Sequence, residues 1–343
     1  MSRTMRRGLP PLVDAPFVVS DSVFVNPKYR GTRLAGEEAF DPDGSREAIR
    51  RMQIRIHDAR SLKRAPGIEP EGFQLVEAPI RLDFSSPSQV TSRYYEHCAN
   101  LVKAATGCQA AKAVQHEFRA GRVIGPAGVG RYAVVVHSDF TPFIEDFAVV
   151  PDGRHFALYN VWRGTNPDRE IESMPLALCD LTTVAAEDIV YADCLRRTEP
   201  RTRLIDCRLI HNTGQRWYYF PRMKPCEALI FKQYDSRREN AARRGVFHAA
   251  FHNPAARQDA PLRESVEVRV LAVLPGADRE RERRKATFQA QVPNVRLDGS
   301  VSTWRQEPMV DWNGMQRRPP MAAADPANQR ESRNSRAPDN LAR

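Results

Sequence analysis

Apolar and polar residues along this chain alternate mostly with a period of two. In "RMQIRIHDAR" (Arg51–Arg60), Met52, Ile54 and Ile56 fall on one side and charged or polar residues on the other, which predicts a half-buried strand. "FVVSDSVFV" (Phe17–Val25) and "EGFQLVEAP" (Glu71–Pro79) are two further strand candidates. From Ala110 onward short β-rich runs separated by turn residues dominate: "KAVQHEFR", "RYAVVVHSDF", "RHFALYNVWRG", "RWYYFPR", "EALIFKQYDS", "GVFHAAFHNP" and "ESVEVRVLAVLP". One stretch among them, Met174–Cys194, reads as a helical interruption.

A strong helical face occurs once, in "SSPSQVTSRYYEHCANLVKAATG". Ser86 is placed to cap it, Pro87 opens it and Gly107 ends it. Val90, Tyr94, Cys98, Leu101, Val102 and Ala105 then share one side, the side that packs on a scaffold. Many short strands after a helix-containing segment predict a mainly β fold with flanking helices, a β-sandwich or jelly roll. The expected divisions are an irregular arm over 1–50, the folded domain over 51–275, and a charged tail over 276–343. That tail ends in Pro, Ala, Asn, Ser and Arg and reads as disordered; its Trp304 and Trp312 are candidates for docking.

Composition narrows the class. The 343 residues contain no apolar run near the roughly 20 needed to cross a bilayer. The first residues are basic with a short apolar patch, but prolines and Asp14 interrupt it, so no secretory signal is expected. Cysteines 98, 108, 179, 194, 207 and 226 are scattered without a CxxC pair, a pattern of reduced thiols in a cytoplasmic protein. Lys and Arg exceed Asp and Glu by 52 − 42 = 10, yet the Arg is interleaved with Glu, as in "DRERERRK" (Asp278–Lys285). No nucleic-acid-binding motif accompanies this charge, so the expected partner is a small molecule, with neither nucleic acid nor membrane. Nothing in the sequence specifies an oligomeric state.

The chemistry lies at strand ends. In an extended segment His137 and Asp139 point to one face and can grip one object together. A lone His-x-Asp ends many ordinary strands, so a third group is needed. "GVFHAAFHNP" supplies His248 and His252, which spacing alone leaves equivalent. Two imidazoles and one carboxylate, without thiolate, suit Fe(II) held on one face of an octahedron with three positions open. Downstream, Arg263 and Ser265 share a face, and a guanidinium fork matches the far carboxylate of a keto-acid co-substrate such as 2-oxoglutarate. Arg269 lies about 13 Å beyond Ser265 on an extended strand, so Arg263 is preferred. His57, His97, His116, His155 and His211 have no such company.

Together, "QIRIHDAR", "EGFQLVEAP", "VVVHSDFT", "YNVWRG", "MPLALCD", "QRWYYFPRMKPCEALIFKQYDS", "FHAAFHNP" and "RESVEVR" resemble a known family over Met52 to Leu274. It is the fungal and bacterial hydroxylase/desaturase group of AsaB-type and CmcJ-like proteins and a gibberellin desaturase, among the Fe(II)/2-oxoglutarate-dependent oxygenases. The resemblance implies a double-stranded β-helix and an O2-using hydroxylation or desaturation of a secondary-metabolite intermediate. It implies His137 and Asp139 as iron ligands and favours His248 as the third, since "HAAF" stands where the family has His-Thr-Ala-Phe. The place of His252 is commonly acidic in relatives, and Leu262 stands where they often have Pro. Arg163 would bind an acidic substrate group or the co-substrate, or close a strand-end salt bridge. Trp217 and Tyr219 lie on one face of their strand and Arg216 and Tyr218 on the other, and one of these pairs is a candidate to wall the substrate; Lys232 is an unusual charge in an apolar strand, a candidate to point inward toward a carboxylate. The rival readings are a non-catalytic jelly-roll assembly module and a methyltransferase-associated protein. No glycine-rich loop follows a strand to support the latter.

Overall fold

The computed structural model describes residues 15–31, 33–34, 48–120, 132–139, 148–149, 153–195, 203–281, 283 and 310–311. Most of the expected tail, with Trp304 and Trp312, lies outside the described residues. Nine strands form one sheet: β1 (Phe17–Val25), β2 (Arg33–Leu34), β3 (Ile49–Asp58), β6 (His137–Ser138), β9 (Leu176–Cys179), β10 (Ile189–Leu195), β11 (Arg203–Leu209), β12 (Trp217–Tyr219) and β14 (His248–Ala250). Their order is β1-β3-β12-β9-β14-β6-β11-β10-β2. Five more form the second sheet: β4 (Phe73–Glu77), β5 (Ala110–Ala120), β8 (Arg154–Gly164), β13 (Glu227–Asp235) and β15 (Glu264–Ala277), in the order β4-β13-β8-β15-β5. A short parallel pair joins β7 (Ala148–Val149) to β16 (Val310–Asp311).

The large sheet curls. Bridges from Val23 to Val135 and from Val25 to Ile210 tie β1 back to the far side of the same sheet. The curl closes around Phe24, Ile56, Trp217, Phe247 and Phe251, all buried. Its other face turns toward the five-stranded sheet, where Phe231 meets His248 with ring centroids 4.9 Å apart.

The five-stranded sheet has two unlike faces, as the period-two pattern requires. Tyr159, Val161, Ile230, Val266, Val268 and Val270 form a core on one side. The helix packs there, with α1 (Pro87–Gln89) running through a π-helical turn into α2 (Tyr95–Thr106). Val90, Tyr94, Cys98 and Val102 are fully buried, as their helical spacing predicts. Gly107 ends the helix at φ 64°, a left-handed conformation that favours glycine. The opposite face carries Asn160, Glu267 and Arg269 toward the large sheet.

Two expectations give way. Met174–Cys194 is not helical: β9 and β10 flank two 3-10 turns, the first capped by the Asp180 side chain onto Thr182 N at 2.8 Å. Leu176–Cys179 has good helix formers but is buried between β12 and β14, and ladder pairing overrides propensity. Among the described residues of "RYAVVVHSDF", 132–139, the strand is His137–Ser138, paired with β11 and β14, and Val135 makes a single bridge to β1. β3 runs across residue 50, and its Ile49–His57 stretch pairs with β1. Among the described residues Cys98, Cys108, Cys179, Cys207 and Cys226 form no disulfide.

Beside the helix face lies a buried ion network. Lys232 Nζ pairs with Glu69 and, at 3.2 Å, with Asp235, which also accepts from Arg237 at 2.9 and 3.0 Å. Burial alone would raise the Asp235 carboxyl, but the Arg237 hydrogen bonds and the Lys232 charge draw it down to about 2 from 3.8. A depressed carboxyl stabilises the fold above its unfolded pKa, and that stability is lost as pH falls toward 2. Asp235→Asn is therefore expected to cost on the order of 3 kcal/mol at pH 7. Urea midpoints of the two proteins should converge below about pH 4; a gap that does not change with pH would refute this. Gly245 is the second pressure point. A Cβ there would meet Gln233 O at 2.6 Å and Ser138 Oγ at 2.7 Å. Gly245→Ala should destabilise the protein by about 1–3 kcal/mol in thermal unfolding, since one of those contacts is backbone.

Candidate metal centre

His137 on β6 and His248 on β14 stand directly opposite each other in an antiparallel ladder, so their side chains share a face. The row continues through Leu178 and Tyr218 to His57. Asp139 follows two residues after His137, past the strand end. One ligand atom from each of His137, Asp139 and His248 lies within 4.8 Å of the others. Asp139 Oδ1 is 3.3 Å from His137 Nε2 and 3.9 Å from His248 Nε2, and the imidazole centroids are 4.5 Å apart. His137 and His248 are 8% and 3% exposed.

Each imidazole is held by its own strand. His137 Nδ1 donates to Val135 O at 2.8 Å, and His248 Nδ1 donates to Val246 O at 3.1 Å. A carbonyl can only accept, so the proton sits on Nδ1 and the Nε2 lone pair is left for a cation. Burial and the neighbouring His137 push His248 down to about 3, which keeps this ring neutral. Asp139 is fastened from three directions. Asn160 Nδ2 reaches Oδ2 at 2.8 Å, Arg269 reaches the same oxygen at 3.3 Å, and Gln233 Oε1 accepts from Asp139 N at 3.1 Å. Burial would raise this carboxyl, but the Arg269 charge holds it well below the usual range. Two imidazoles and a carboxylate, without thiolate, are a donor set that fits Fe(II).

Arg263 and Ser265 carry unspent polar capacity. The Arg263 guanidinium is buried, lies 4.4 Å from the Tyr132 ring and 5.1 Å from the Trp162 ring, and donates to Met174 O. Arg263 Nε and Ser265 Oγ are both buried without a hydrogen-bond partner among the described residues. Burial pushes Arg263 down to about 9. A caged cation beside an orphaned hydroxyl fits a carboxylate such as that of 2-oxoglutarate. Arg269 has a different post, on the oxygen of Asp139.

The other predicted positions face away. Arg163 lies opposite Val266 on the helix side, donating to Ala78 O at 2.8 Å and to Pro225 O. Lys232 lies opposite Tyr159 on that side, in its ion network. Trp217 and Tyr219 point into the core of the curled sheet, against Phe24 and Phe251. Strand parity sends all four to faces turned away from the triad, and Lys232 meets the carboxylates of Glu69 and Asp235 there. Their neighbour Tyr218 takes the metal-facing row. His252, past the end of β14, is exposed and is not in the triad. It lines a cavity of about 430 Å³ with Val19, Asp21, Arg51, Met174 and Ala250. Ala250 shares the His248 face about 7 Å along the strand. Sequence reading missed Asn160, Gln233 and Tyr132; the signal for Asn160 was a lone amide inside the apolar run "FALYNVW".

A family model described as "Oxidoreductase/YMDC permease-like domain" matches residues 27–273. The chain is 30% identical over 236 residues to the Fe(II)/2-oxoglutarate-dependent dioxygenase nvfI of Aspergillus novofumigatus, covering 64% of this chain and 82% of that protein. It is 26% identical over 255 residues to the hydroxylase/desaturase efuI of Hormonema carpetanum, covering 66% and 84%. A solved structure of the iron and alpha-ketoglutarate-dependent endoperoxidase NvfI superposes with TM-score 0.65 at 27% identity, over 77% of this chain and 100% of that one. These relatives are oxidoreductases of jelly-roll fold, against both the non-catalytic and the methyltransferase-associated readings. With its triad and its caged guanidinium, the chain belongs to the family of Fe(II)/2-oxoglutarate-dependent hydroxylases and desaturases.

Proposed function

We propose that His137, Asp139 and His248 hold Fe(II), that Arg263 and Ser265 bind the distal carboxylate of 2-oxoglutarate, and that the substrate enters the cavity beside Ala250. The reaction is hydroxylation or desaturation of a small molecule of secondary metabolism, carried out in the cytoplasm by residues 51–275 together with β1. Among the described residues no helix is long and apolar enough to cross a membrane. When bound, the iron and 2-oxoglutarate supply the oxidation of a C–H bond by O2, with CO2 and succinate released. The chain's own part is to present three ligand atoms on one face, keep water out and hold the substrate. Phe231 does part of this by packing its ring against His248. The cavity volume suits a small organic molecule, with apolar contacts from Val19, Met174 and Ala250 and polar ones from Asp21 and Arg51.

The observation that carries this reading is the pairing of a converged His–Asp–His set with a buried guanidinium that lacks a carboxylate partner among the described residues. An anaerobic mixture of the protein with Fe(II) and 2-oxoglutarate should develop a weak visible charge-transfer band. His137→Ala should abolish that band and lower succinate release from 2-oxoglutarate by at least about 100-fold. An unchanged band would overturn the ligand assignment. Arg263→Gln should keep Fe(II) binding but weaken 2-oxoglutarate by roughly 10- to 100-fold, read from the KM for succinate release. An unaltered KM would remove Arg263 from the site.

A further inference from the structure

The two oxygens of Asp139 have different surroundings. Oδ1 faces both imidazole Nε2 atoms, at 3.3 and 3.9 Å. Oδ2 is occupied by Asn160 Nδ2 at 2.8 Å and by Arg269 at 3.3 Å. Both donors come from the five-stranded sheet, on adjacent strands and directly opposite each other. His137 and His248 belong to the curled sheet. Arg269 is itself steadied by Glu117 and Glu267, each 3.7 Å away on the same inner face. Asn160 is completely buried, between Phe231 and Arg269 in its row.

Resting on the iron reading above, we infer that Asn160 and Arg269 are positioning residues that make Asp139 a single-oxygen ligand. Two hydrogen bonds on Oδ2 use the lone pairs a second metal bond would need, so only Oδ1 is offered to the cation. The count of coordination sites gives this its consequence. Three single-atom ligands would leave three positions open on a six-coordinate cation, whereas a bidentate Asp139 would leave two. Because the imidazoles and the clamp sit on different sheets, the ligand set takes its working shape only once the sheets have docked.

The test is Co(II) binding to the metal-free full-length protein, read as the dissociation constant and the visible d–d spectrum. Asn160→Ala should weaken Co(II) by about 10- to 100-fold and change the spectrum, while the thermal midpoint of the metal-free protein stays within a few degrees of wild type. Asn160→Ser, whose hydroxyl restores a donor, should fall between the two. A folded Asn160→Ala protein with wild-type affinity and spectrum would overturn the inference. Loss of folding in both variants would overturn it too, by making Asn160 a structural residue only. His137→Ala separates this from the reading it rests on: if that variant binds Co(II) like wild type, the triad itself is wrong.

Discussion

A carboxylate held between two sheets of a β-sandwich has to be compensated, and the arrangement around Asp139 follows from that requirement. Leaving one partner of a buried charge pair unmatched costs about 3–5 kcal/mol. Arg269 supplies the opposite charge, Asn160 fills the second oxygen, and Gln233 accepts from the backbone of the same residue. The imidazoles add their own anchors to carbonyls two residues back. A cation arriving here meets ligands whose orientation is already settled, which lowers the cost of ordering them on binding.

The same inner face explains the division of labour among the arginines. Arg269 lies in the row of Asn160 and is spent on Asp139. Arg263 lies at the mouth of β15, cradled by Tyr132 and Trp162, and keeps Nε unpartnered. A cation confined by aromatic faces keeps its charge while losing water, so an arriving anion has little hydration to strip away. Glu267 sits between the two, and burial, reinforced by Asp139, pushes it up to about 8. Met174 lines the cavity and its carbonyl accepts from Arg263, so the cavity and the Arg263 cage share a wall.

Much of the fold was legible along the chain. Phe17–Val25 and Arg154–Gly164 are strands with the boundaries their alternation suggested, and Val90, Tyr94, Cys98 and Val102 are the buried stripe of the helix. Leu176–Cys179 was not legible, because its residues favour helix and only pairing with β12 and β14 makes it a strand. Nor was the face on which each strand residue would lie. Arg163 and Lys232 stand out in sequence as charges in apolar strands, yet both lie on the helix side.

What the sequence determined by itself was the chemical inventory and its local pairing. A histidine and an aspartate two apart share a face through strand geometry alone, and Arg263 with Ser265 does likewise. Tertiary structure decided between His248 and His252, because β14 stops at Ala250 and turns the later ring outward. It also decided that Asn160 and Arg269 would meet Asp139, 21 and 130 residues away along the chain. Local backbone geometry reaches only a few residues; which strand faces another depends on how two sheets bury their apolar sides, and that is a property of the whole chain.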